Sequence, residues 1–258
     1  MPRKLGQHFL EDEETLEKIA AGLEIKKTDV VVEIGPGHGE LTRHLVEYHP
    51  KKIIAIEKDK SLADSLPQRF PHLPAGVKIE VVSADILKAL SSLRLRRYKL
   101  IGNIPFYITG RLLRVLSELK NKPEIIVLTV QKEVAERITA QPPRMNLLAA
   151  ITQFWTDPEI IGFIPRQKFS PPPEVDSAII RLSPKKTKNP DQYYRFVKIL
   201  FKQPRKTILN NLLAISKNHE ERTMEELKKA GLAPSSRPQN LNIKMIISLA
   251  SLLKNDIL

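Results

Sequence analysis

A series of short, mainly apolar runs, most of them rich in Val and Ile, constrains the fold more than any other feature of this chain. The first four runs span residues 30–34, 52–56, 77–82 and 98–101, and they close at or near Gly35, Glu57, Asp85 and Asn103. Helical spacing of Leu41, Leu45 and Val46 follows the first run. Strands that alternate with helices predict a parallel sheet, and open parallel sheets bind ligands at the carboxyl ends of their strands. The sequence therefore predicts an α/β fold with a ligand site where these four strand ends collect.

The rest of the chain predicts more of this core and then a change of architecture. Thr109 is predicted to cap a helix, residues 124–130 to form a fifth strand, and the alternating residues 178–182 to add to the core. A polar, basic stretch at 183–190 marks a boundary, and only helical periodicity follows it. We predict a first domain over residues 1–184 and a small all-helical domain over residues 185–258.

Charge and composition narrow the classes of partner and chemistry. The net charge is +13, and residues 185–258 hold 15 Lys and Arg against 6 Asp and Glu, a net of +9. This concentration favours a polyanion partner, although a solvated surface is the alternative. The chain has no Cys, and its six His show no paired spacing, so no metal site is predicted. Without a long apolar run or an N-terminal signal region, we expect a cytoplasmic protein that has no membrane partner.

The first strand opens onto a glycine turn at residues 33–39. Pro36 and the spacing depart from the dinucleotide fingerprint, so the turn alone is a weak signal of a nucleotide site. Glu57 lies 22 residues after Gly35, where a carboxylate can accept both hydroxyls of a ribose. Asp85 stands where an adenine would lie. The alternatives are a solvated strand end for Glu57 and a helix N-cap for Asp85.

The tetrad Asn103-Ile104-Pro105-Phe106 combines a hydrogen-bond acceptor, a stiffened backbone and an aromatic ring. Such a set can hold the exocyclic amine of a flipped base and stack on its ring. Taken alone, the tetrad is more typical of a turn that leaves a strand.

Together these residues carry a resemblance to a known family. The glycine turn, Glu57, Asp85 and the tetrad resemble S-adenosylmethionine-dependent methyltransferases that act on exocyclic amines. Residues 6–10 and 169–177 add a match to the ribosomal RNA adenine dimethyltransferase family, and the match covers nearly the whole chain, including residues 237–241. The resemblance implies a Rossmann-like catalytic domain followed by a helical domain that contacts rRNA. It is greatest to the bacterial small-subunit branch, which dimethylates N6 of two adjacent adenosines near the 3′ end of 16S rRNA, in the assembling 30S subunit.

The resemblance also assigns site residues. It implies that S-adenosylmethionine is bound by Gln7, His8, Leu10, Gly35, Gly37, Glu57, Lys58, Asp85, Ile86 and Asn103. It implies that the catalytic residues are Asn103, Ile104, Pro105, Phe106 and Phe169. The chain departs from the family pattern at three positions: Ile104 replaces Leu, Phe106 replaces Tyr and so lacks a phenol, and His8 replaces the commoner Asn.

Three other interpretations stay open. The first is a related enzyme that acts on a large-subunit rRNA adenine, against which the full helical tail and Arg237-Pro238 count. The second is a DNA adenine methyltransferase, which usually carries a larger recognition region than 74 residues. The third is a non-catalytic assembly factor that kept the fold. We expect the protein to be a monomer.

Overall fold

The computed structural model describes residues 8–214 and 220–253. It contains two compact units. The first comprises the described residues up to Ala135 together with Pro158–Pro184, and the second comprises Glu136–Asp157 together with the described residues from Lys185 onward. The second unit thus takes in a helical segment that lies within the predicted first domain. The assignment of catalysis to residues 1–184 and of rRNA contact to residues 185–258 stays a prediction.

Nine strands lie in the described part of the chain. They are β1 Phe9–Leu10, β2 Val30–Ile34, β3 Lys52–Glu57, β4 Ile79–Ser83, β5 Lys99–Asn103, β6 Ile126–Gln131, β7 Thr156–Ile164, β8 Phe169–Ser170 and β9 Ser177–Pro184. Seven of them form one sheet in the order β4-β3-β2-β5-β6-β9-β7, and β1 pairs with β8 in a second, two-stranded sheet.

The large sheet is mostly parallel. Strand β2 runs parallel to both β3 and β5, β4 parallel to β3, and β6 parallel to β5, whereas β9 is antiparallel to β6. The strand order reverses at β2, so the crevice between the carboxyl ends of β2 and β5 is the topological switch point where such sheets bind ligands. The prediction of an α/β fold is confirmed, and the first four predicted strands are present with ends shifted by at most two residues.

Eleven α-helices lie in the described residues. They are α1 Glu13–Ala21, α2 Glu40–Glu47, α3 Lys60–Ser65, α4 Ile86–Ser92, α5 Thr109–Glu118, α6 Lys132–Ile138, α7 Leu147–Trp155, α8 Pro190–Leu200, α9 Ile208–Leu213, α10 Glu220–Lys229 and α11 Ile243–Leu252. Thr109 does not cap α5 as predicted, because a 3₁₀ turn over Phe106–Ile108 leads into the helix and makes Thr109 its first residue. Among the helices described, none has the length and apolar character needed to cross a membrane.

One face of the sheet carries both the apolar core and the polar residues of the site. Its buried side chains pack with those of α1 and α2, and include Val31, Ile53, Ile101, Val127 and Ile179. Side chains alternate between the two faces of a strand. Glu33, Glu57 and Asn103 therefore stand on the same face as Val31, Ile53 and Ile101, nearer the carboxyl edge. The core below fixes the strands that present these polar groups.

The second unit is helical and has its own core. The Phe154 and Tyr193 rings stack with centroids 3.9 Å apart, and the Tyr193 hydroxyl donates to the Ala150 carbonyl oxygen at 2.9 Å. The buried Asn211 closes the loop before α9, since its Oδ1 accepts the Gln203 N–H and its Nδ2 donates to the Gln203 carbonyl oxygen, both at 3.0 Å. This loop carries exposed basic side chains at Lys202, Arg205 and Lys206.

Candidate active site

A cleft opens at the carboxyl ends of β2, β3, β4 and β5. Every predicted site residue lines it except Gln7 and Leu10, so the lining includes His8, Gly35, Gly37, Glu57, Lys58, Asp85, Ile86, Asn103, Ile104, Pro105, Phe106 and Phe169. The fold thus brings residues separated by up to 161 positions, His8 and Phe169, to one site.

The two exceptions have different reasons. Gln7 lies outside the described residues. Leu10 is buried in the core beside Leu16 and Phe169, and it does not line the cleft. Its neighbour Phe9 lines the cleft instead. The Phe9 ring covers the glycine turn, since a Cβ on Gly37 would lie 3.0 Å from the Phe9 Cε1 atom.

The glycine turn presents bare backbone to the cleft. Gly35 and Gly37 have φ angles of 62° and 60°, in the left-handed region that side chains rarely adopt. Among the described residues, no atom lies within 4 Å of a Cβ added to Gly35, so these residues leave the space beside Gly35 open to a ligand. The turn is anchored to the sheet by the Gly35 N–H, which donates to the Ile56 carbonyl oxygen at 2.9 Å.

Glu57 ends β3 as a buried, fully oriented carboxylate. Its Oε1 accepts the Asp59 N–H at 2.8 Å, and its Oε2 accepts the Gly37 N–H at 3.3 Å. A carboxylate oxygen can accept more than one hydrogen bond. Glu57 therefore holds the glycine turn to β3 while it retains acceptor capacity toward the cleft.

Asp85 has two roles in the structure. As the N-cap of α4, its Oδ1 accepts the Leu87 N–H at 2.9 Å, while its Oδ2 lies 3.3 Å from the Lys58 Nζ. Burial by itself raises the pKa of the Asp85 carboxyl, but the Leu87 N–H and the Lys58 ammonium outweigh burial and hold the pKa below its usual range. The N-cap anticipated as an alternative is present, and it leaves the carboxylate ionised at the edge of the cleft.

Asn103 is oriented by the segment that precedes β1. Its Nδ2 donates to the His8 carbonyl oxygen at 3.1 Å, so its Oδ1 is the free end of the amide. The His8 Nδ1 in turn donates to the Pro171 carbonyl oxygen at 2.7 Å, and Leu10 pairs with Phe169 in the two-stranded sheet. This strap, residues 8–10 with residues 169–171, fixes the side chain of Asn103 at the end of β5.

The rest of the tetrad follows Asn103 into the 3₁₀ turn. The Ile104 side chain is buried, and Pro105 has φ −57° and ψ 131°, an extended geometry that the ring of proline favours. The Phe106 ring faces the His8 ring with centroids 6.3 Å apart and an interplanar angle of 22°. Aromatic surface therefore lies next to the acceptor end of the tetrad.

Sequence reasoning assigned no role to two residues that belong to this region. The Glu33 carboxyl is buried below the glycine turn, where its Oε2 accepts the Thr42 hydroxyl at 2.7 Å and its Oε1 has no hydrogen-bond partner among the described residues. Burial raises the pKa of this carboxyl to about 8. Tyr107 lines the cleft and is 63% exposed. The signal in the sequence for a role of Tyr107 is its position directly after the tetrad.

Away from the cleft, one cluster of metal-ligating residue types occurs among the described residues. Ligand atoms of Glu17, His44 and Glu47 lie within 4.8 Å of one another. Both nitrogens of the buried His44 ring already lie within hydrogen-bond distance of carboxylates, at 3.2 Å from Glu17 and 3.1 Å from Glu13. This cluster is explained by packing between α1 and α2.

Two solved structures resemble this chain over nearly its whole length. A dimethyladenosine transferase from Plasmodium falciparum has a TM-score of 0.82 at 25% identity, with 96% of this chain and 98% of that chain covered. The 23S rRNA methyltransferase ErmE has a TM-score of 0.78 at 28% identity, with 96% of this chain and all of that chain covered. These matches agree with a Rossmann-like methyltransferase fold.

Sequence comparison leads to the same group of enzymes. Ribosomal RNA small subunit methyltransferase A of Dehalococcoides mccartyi is 36% identical over 251 residues, which cover 93% of this chain and 84% of the relative. The family model described as ribosomal RNA adenine dimethylase matches residues 1–255. With that match over the whole cleft and the helical tail, the chain belongs to the ribosomal RNA adenine dimethylase family.

Proposed function

We propose that this protein transfers methyl groups from S-adenosylmethionine to N6 of two adjacent adenosines near the 3′ end of 16S rRNA. The observation that carries the proposal is the orientation of Asn103. Its amide nitrogen is bound to the His8 carbonyl oxygen, so its Oδ1 is the atom left to accept a hydrogen bond in the cleft. An acceptor held in this way suits an exocyclic amine.

The residues of the cleft fit S-adenosylmethionine, the methyl donor of this family. Open space beside Gly35 admits a ligand against the backbone, and the buried Glu57 offers acceptor capacity for ribose hydroxyls. Asp85, with Lys58 beside it, is assigned to the adenine. When bound, S-adenosylmethionine supplies a methyl group made electrophilic by its sulfonium sulfur.

The tetrad prepares the target amine. The N6 lone pair of adenine is delocalised into the ring, which makes the amine a poor nucleophile. In the first transfer the Asn103 Oδ1 and the Ile104 carbonyl oxygen accept the two N6 hydrogens and favour a tetrahedral nitrogen whose lone pair is free to attack the methyl group. The N–CH3 bond forms as the S–CH3 bond breaks, and the nitrogen then loses one proton. In the second transfer N6 has one hydrogen left, so only one of the two acceptors is used. Pro105 fixes its own φ and biases Ile104 toward an extended conformation, so the second acceptor is preorganised.

Phe106 and Phe169 supply stacking for the base. Both side chains line the cleft, although Phe169 is also part of the buried core. Each stacked ring is worth about 1–3 kcal/mol in nucleic-acid complexes. Because Phe106 has no phenol, binding of the base in this protein rests on ring stacking and the two acceptors.

We propose that the helical second unit contacts rRNA phosphates. Lys198, Lys202, Arg205 and Lys206 are exposed, and none pairs with a carboxylate of the described residues. Cations of this kind bind phosphates without reading sequence. We place the reaction on the assembling 30S subunit in the cytoplasm and expect the protein to act as a monomer.

Action on a large-subunit rRNA adenine is the nearest second candidate, since the structure of the 23S rRNA methyltransferase ErmE is also similar. The small-subunit substrate is favoured by the name of the Dehalococcoides relative, which matches 93% of this chain. A binding factor without catalysis is disfavoured because the glycine turn, Glu57 and Asn103 lie together in one cleft.

The variant Asn103→Ala tests the role of the free Oδ1. We expect kcat to fall about 10²-fold or more, the size of effect seen when one preorganised hydrogen-bonding group is removed. The Kd for S-adenosylmethionine should stay near that of the wild type. Thr129→Val is the matched control, because Thr129 is the register neighbour of Asn103 on β6 and its buried hydroxyl forms no hydrogen bond in the part of the chain that the structure describes.

Methyl transfer to unmethylated 30S particles gives kcat, and calorimetry gives the Kd of the cofactor. Unchanged kcat in Asn103→Ala would refute the proposed role. An equal loss in Thr129→Val would assign the effect to packing at the ends of β5 and β6 instead.

A further inference from the structure

We propose that Phe163 and Lys132 form a binding site for a nucleotide that flanks the target adenosine, with the base stacked on the Phe163 ring and a phosphate held by Lys132. The inference rests on the proposed function, because it takes RNA as the substrate. Both residues belong to the first unit and lie outside the cleft described above.

Phe163 presents an aromatic ring to water. It is 57% exposed, whereas the next residue, Ile164, is completely buried at the end of β7. A single exposed apolar side chain is common on protein surfaces and identifies no site. The arrangement of charges around the ring distinguishes Phe163 from such residues.

The side-chain ammonium of Lys132 lies over one face of this ring. The Lys132 Nζ is 5.3 Å from the centroid of the Phe163 ring, within the range of a cation–π contact. In the part of the chain that the structure describes, no carboxylate pairs with Lys132. The ammonium lies over one face of the exposed ring, so the other face is the one on which a base would stack, with its phosphate held by Lys132. An aromatic face next to a cation is the combination that binds single-stranded nucleic acid.

Phe163 and Lys132, which together we call the patch, lie at the edge of the sheet that holds the cleft. Lys132 directly follows β6, three residues beyond Thr129, which is the register neighbour of Asn103. At about 3.3 Å per strand residue, the backbone of Lys132 lies roughly 10 Å along the strand direction from the backbones of Thr129 and Asn103. From Phe163 the chain passes through one 3₁₀ turn, Arg166–Lys168, to Phe169 in the cleft.

Hydrogen bonds to residues 174–176 hold the patch in place. The Lys132 N–H donates to the Asp176 carbonyl oxygen at 3.0 Å, and the Arg166 N–H donates to the Asp176 Oδ1 at 3.1 Å. The Arg166 guanidinium donates to the Glu174 carbonyl oxygen at 3.1 Å.

The local charge is mixed, and this decides which contact dominates. Exposed carboxylates at Glu133, Glu174 and Asp176 accompany the cations Lys132 and Arg166. A net positive field therefore does not draw RNA to this patch. Stacking on Phe163 supplies most of the affinity, and Lys132 adds one phosphate contact.

The test compares Phe163→Ala, Phe163→Trp and Lys132→Gln with the wild type, using a protein-free fragment from the 3′ end of 16S rRNA and unmethylated 30S particles. Loss of one stacked base, about 1–3 kcal/mol, corresponds to a 5- to 150-fold weaker Kd for the RNA fragment in Phe163→Ala. We expect Phe163→Trp to bind like the wild type. Lys132→Gln should reduce the slope of log Kd against log salt by about 0.7–0.9.

Two controls separate this inference from other effects. The Kd for S-adenosylmethionine should not change in any variant, and Lys51→Gln, an exposed lysine just before β3, should leave RNA binding unchanged. Equal affinity of Phe163→Ala and wild type for the RNA fragment would overturn the inference. A loss with 30S particles alone would also overturn it and assign the patch to a ribosomal protein. The activity of the wild type is measured before any variant is compared. A wild type that forms no dimethyladenosine would contradict the proposed function itself.

Discussion

Glu33 carries a carboxyl whose ionisation depends on the fold around it. Burial raises its pKa from the ordinary 4.5 to about 8, the charges of Glu40 and Glu57 act in the same direction, and the hydrogen bond from Thr42 opposes them. At a pH between these two pKa values, Glu33 holds a proton in the folded protein and has released it in the unfolded chain. The contribution of Glu33 to the free energy of unfolding is therefore full below about 4.5 and is lost as pH rises through about 8.

The variant Glu33→Gln should remove this dependence. We expect the free energy of unfolding of the wild type, relative to Glu33→Gln, to fall as pH rises from about 5 to 8, by at most about 1.4 kcal/mol per pH unit. Urea unfolding of both proteins across this range measures the difference. Glu80→Gln is the control, because Glu80 is exposed on β4. A relative stability that is flat or rises with pH would show that Glu33 is ionised in the folded state.

At the scale of single residues, the sequence predicts the acceptors better than the packing around them. Glu57, Asp85 and Asn103 could be placed in one site because each ends or follows a parallel strand. The sequence could not show that Phe9 rather than Leu10 lines the cleft, because the two-residue β1 is too short to reveal which side chain faces it. The state of Glu33 depends on neighbours that only the folded chain brings near.

Strands β2 and β5 approach closely at the switch point, and Gly102 permits this. A Cβ on Gly102 would lie 2.7 Å from the Ile34 carbonyl oxygen and 2.8 Å from the Ile34 Cβ. Both neighbours belong to β2, one residue before Gly35. A side chain at this position would push apart the two strands that carry the glycine turn and Asn103.

The pair Gly102→Ala and Gly110→Ala tests this requirement. Gly102→Ala should lower the free energy of unfolding by about 1–3 kcal/mol, the usual cost of overpacking a core. Gly110→Ala should raise it by about 1 kcal/mol, because Gly110 is an exposed residue of α5 with no atom near its missing Cβ, and Ala is the better helix former. Thermal or urea unfolding measures both. A neutral Gly102→Ala would mean that β2 and β5 separate without cost.

At the scale of elements, the strands that the sequence predicts are short, mainly apolar runs that no Pro or Gly interrupts. β7 was missed because Pro158 and Gly162 interrupt it and its apolar residues do not alternate. The grouping of Glu136–Asp157 with the second unit could not be predicted from composition, because contacts such as the stacking of Phe154 on Tyr193 join residues far apart in sequence.

At the scale of the whole molecule, the excess of positive charge is distributed unevenly between the two parts of the chain. Residues 185–258 carry a net of +9 out of the total of +13. If these charges bind phosphates, removing them should weaken RNA binding in a manner that depends on salt. A merely solvated helical surface predicts no such change.

Neutralising Lys198, Lys202, Arg205 and Lys206 to Gln should lower the slope of log Kd against log salt by about 3. The matched control replaces Lys26, Lys27, Lys51 and Lys78 with Gln. These lysines are equally exposed but precede β2, β3 and β4, at the edge of the sheet opposite the cleft. Binding of a 16S rRNA fragment at several salt concentrations measures both slopes. Equal slopes in the two variants would show that these four side chains of the second unit are solvated and do not bind phosphates.

The most direct measurement incubates the purified protein with labelled S-adenosylmethionine and unmethylated 30S particles, digests the RNA and quantifies methylated adenosines. We predict N6,N6-dimethyladenosine confined to 16S rRNA, and its absence when Asn103→Ala replaces the wild type. A wild-type protein that binds S-adenosylmethionine but forms no dimethyladenosine in 16S rRNA would contradict the central claim.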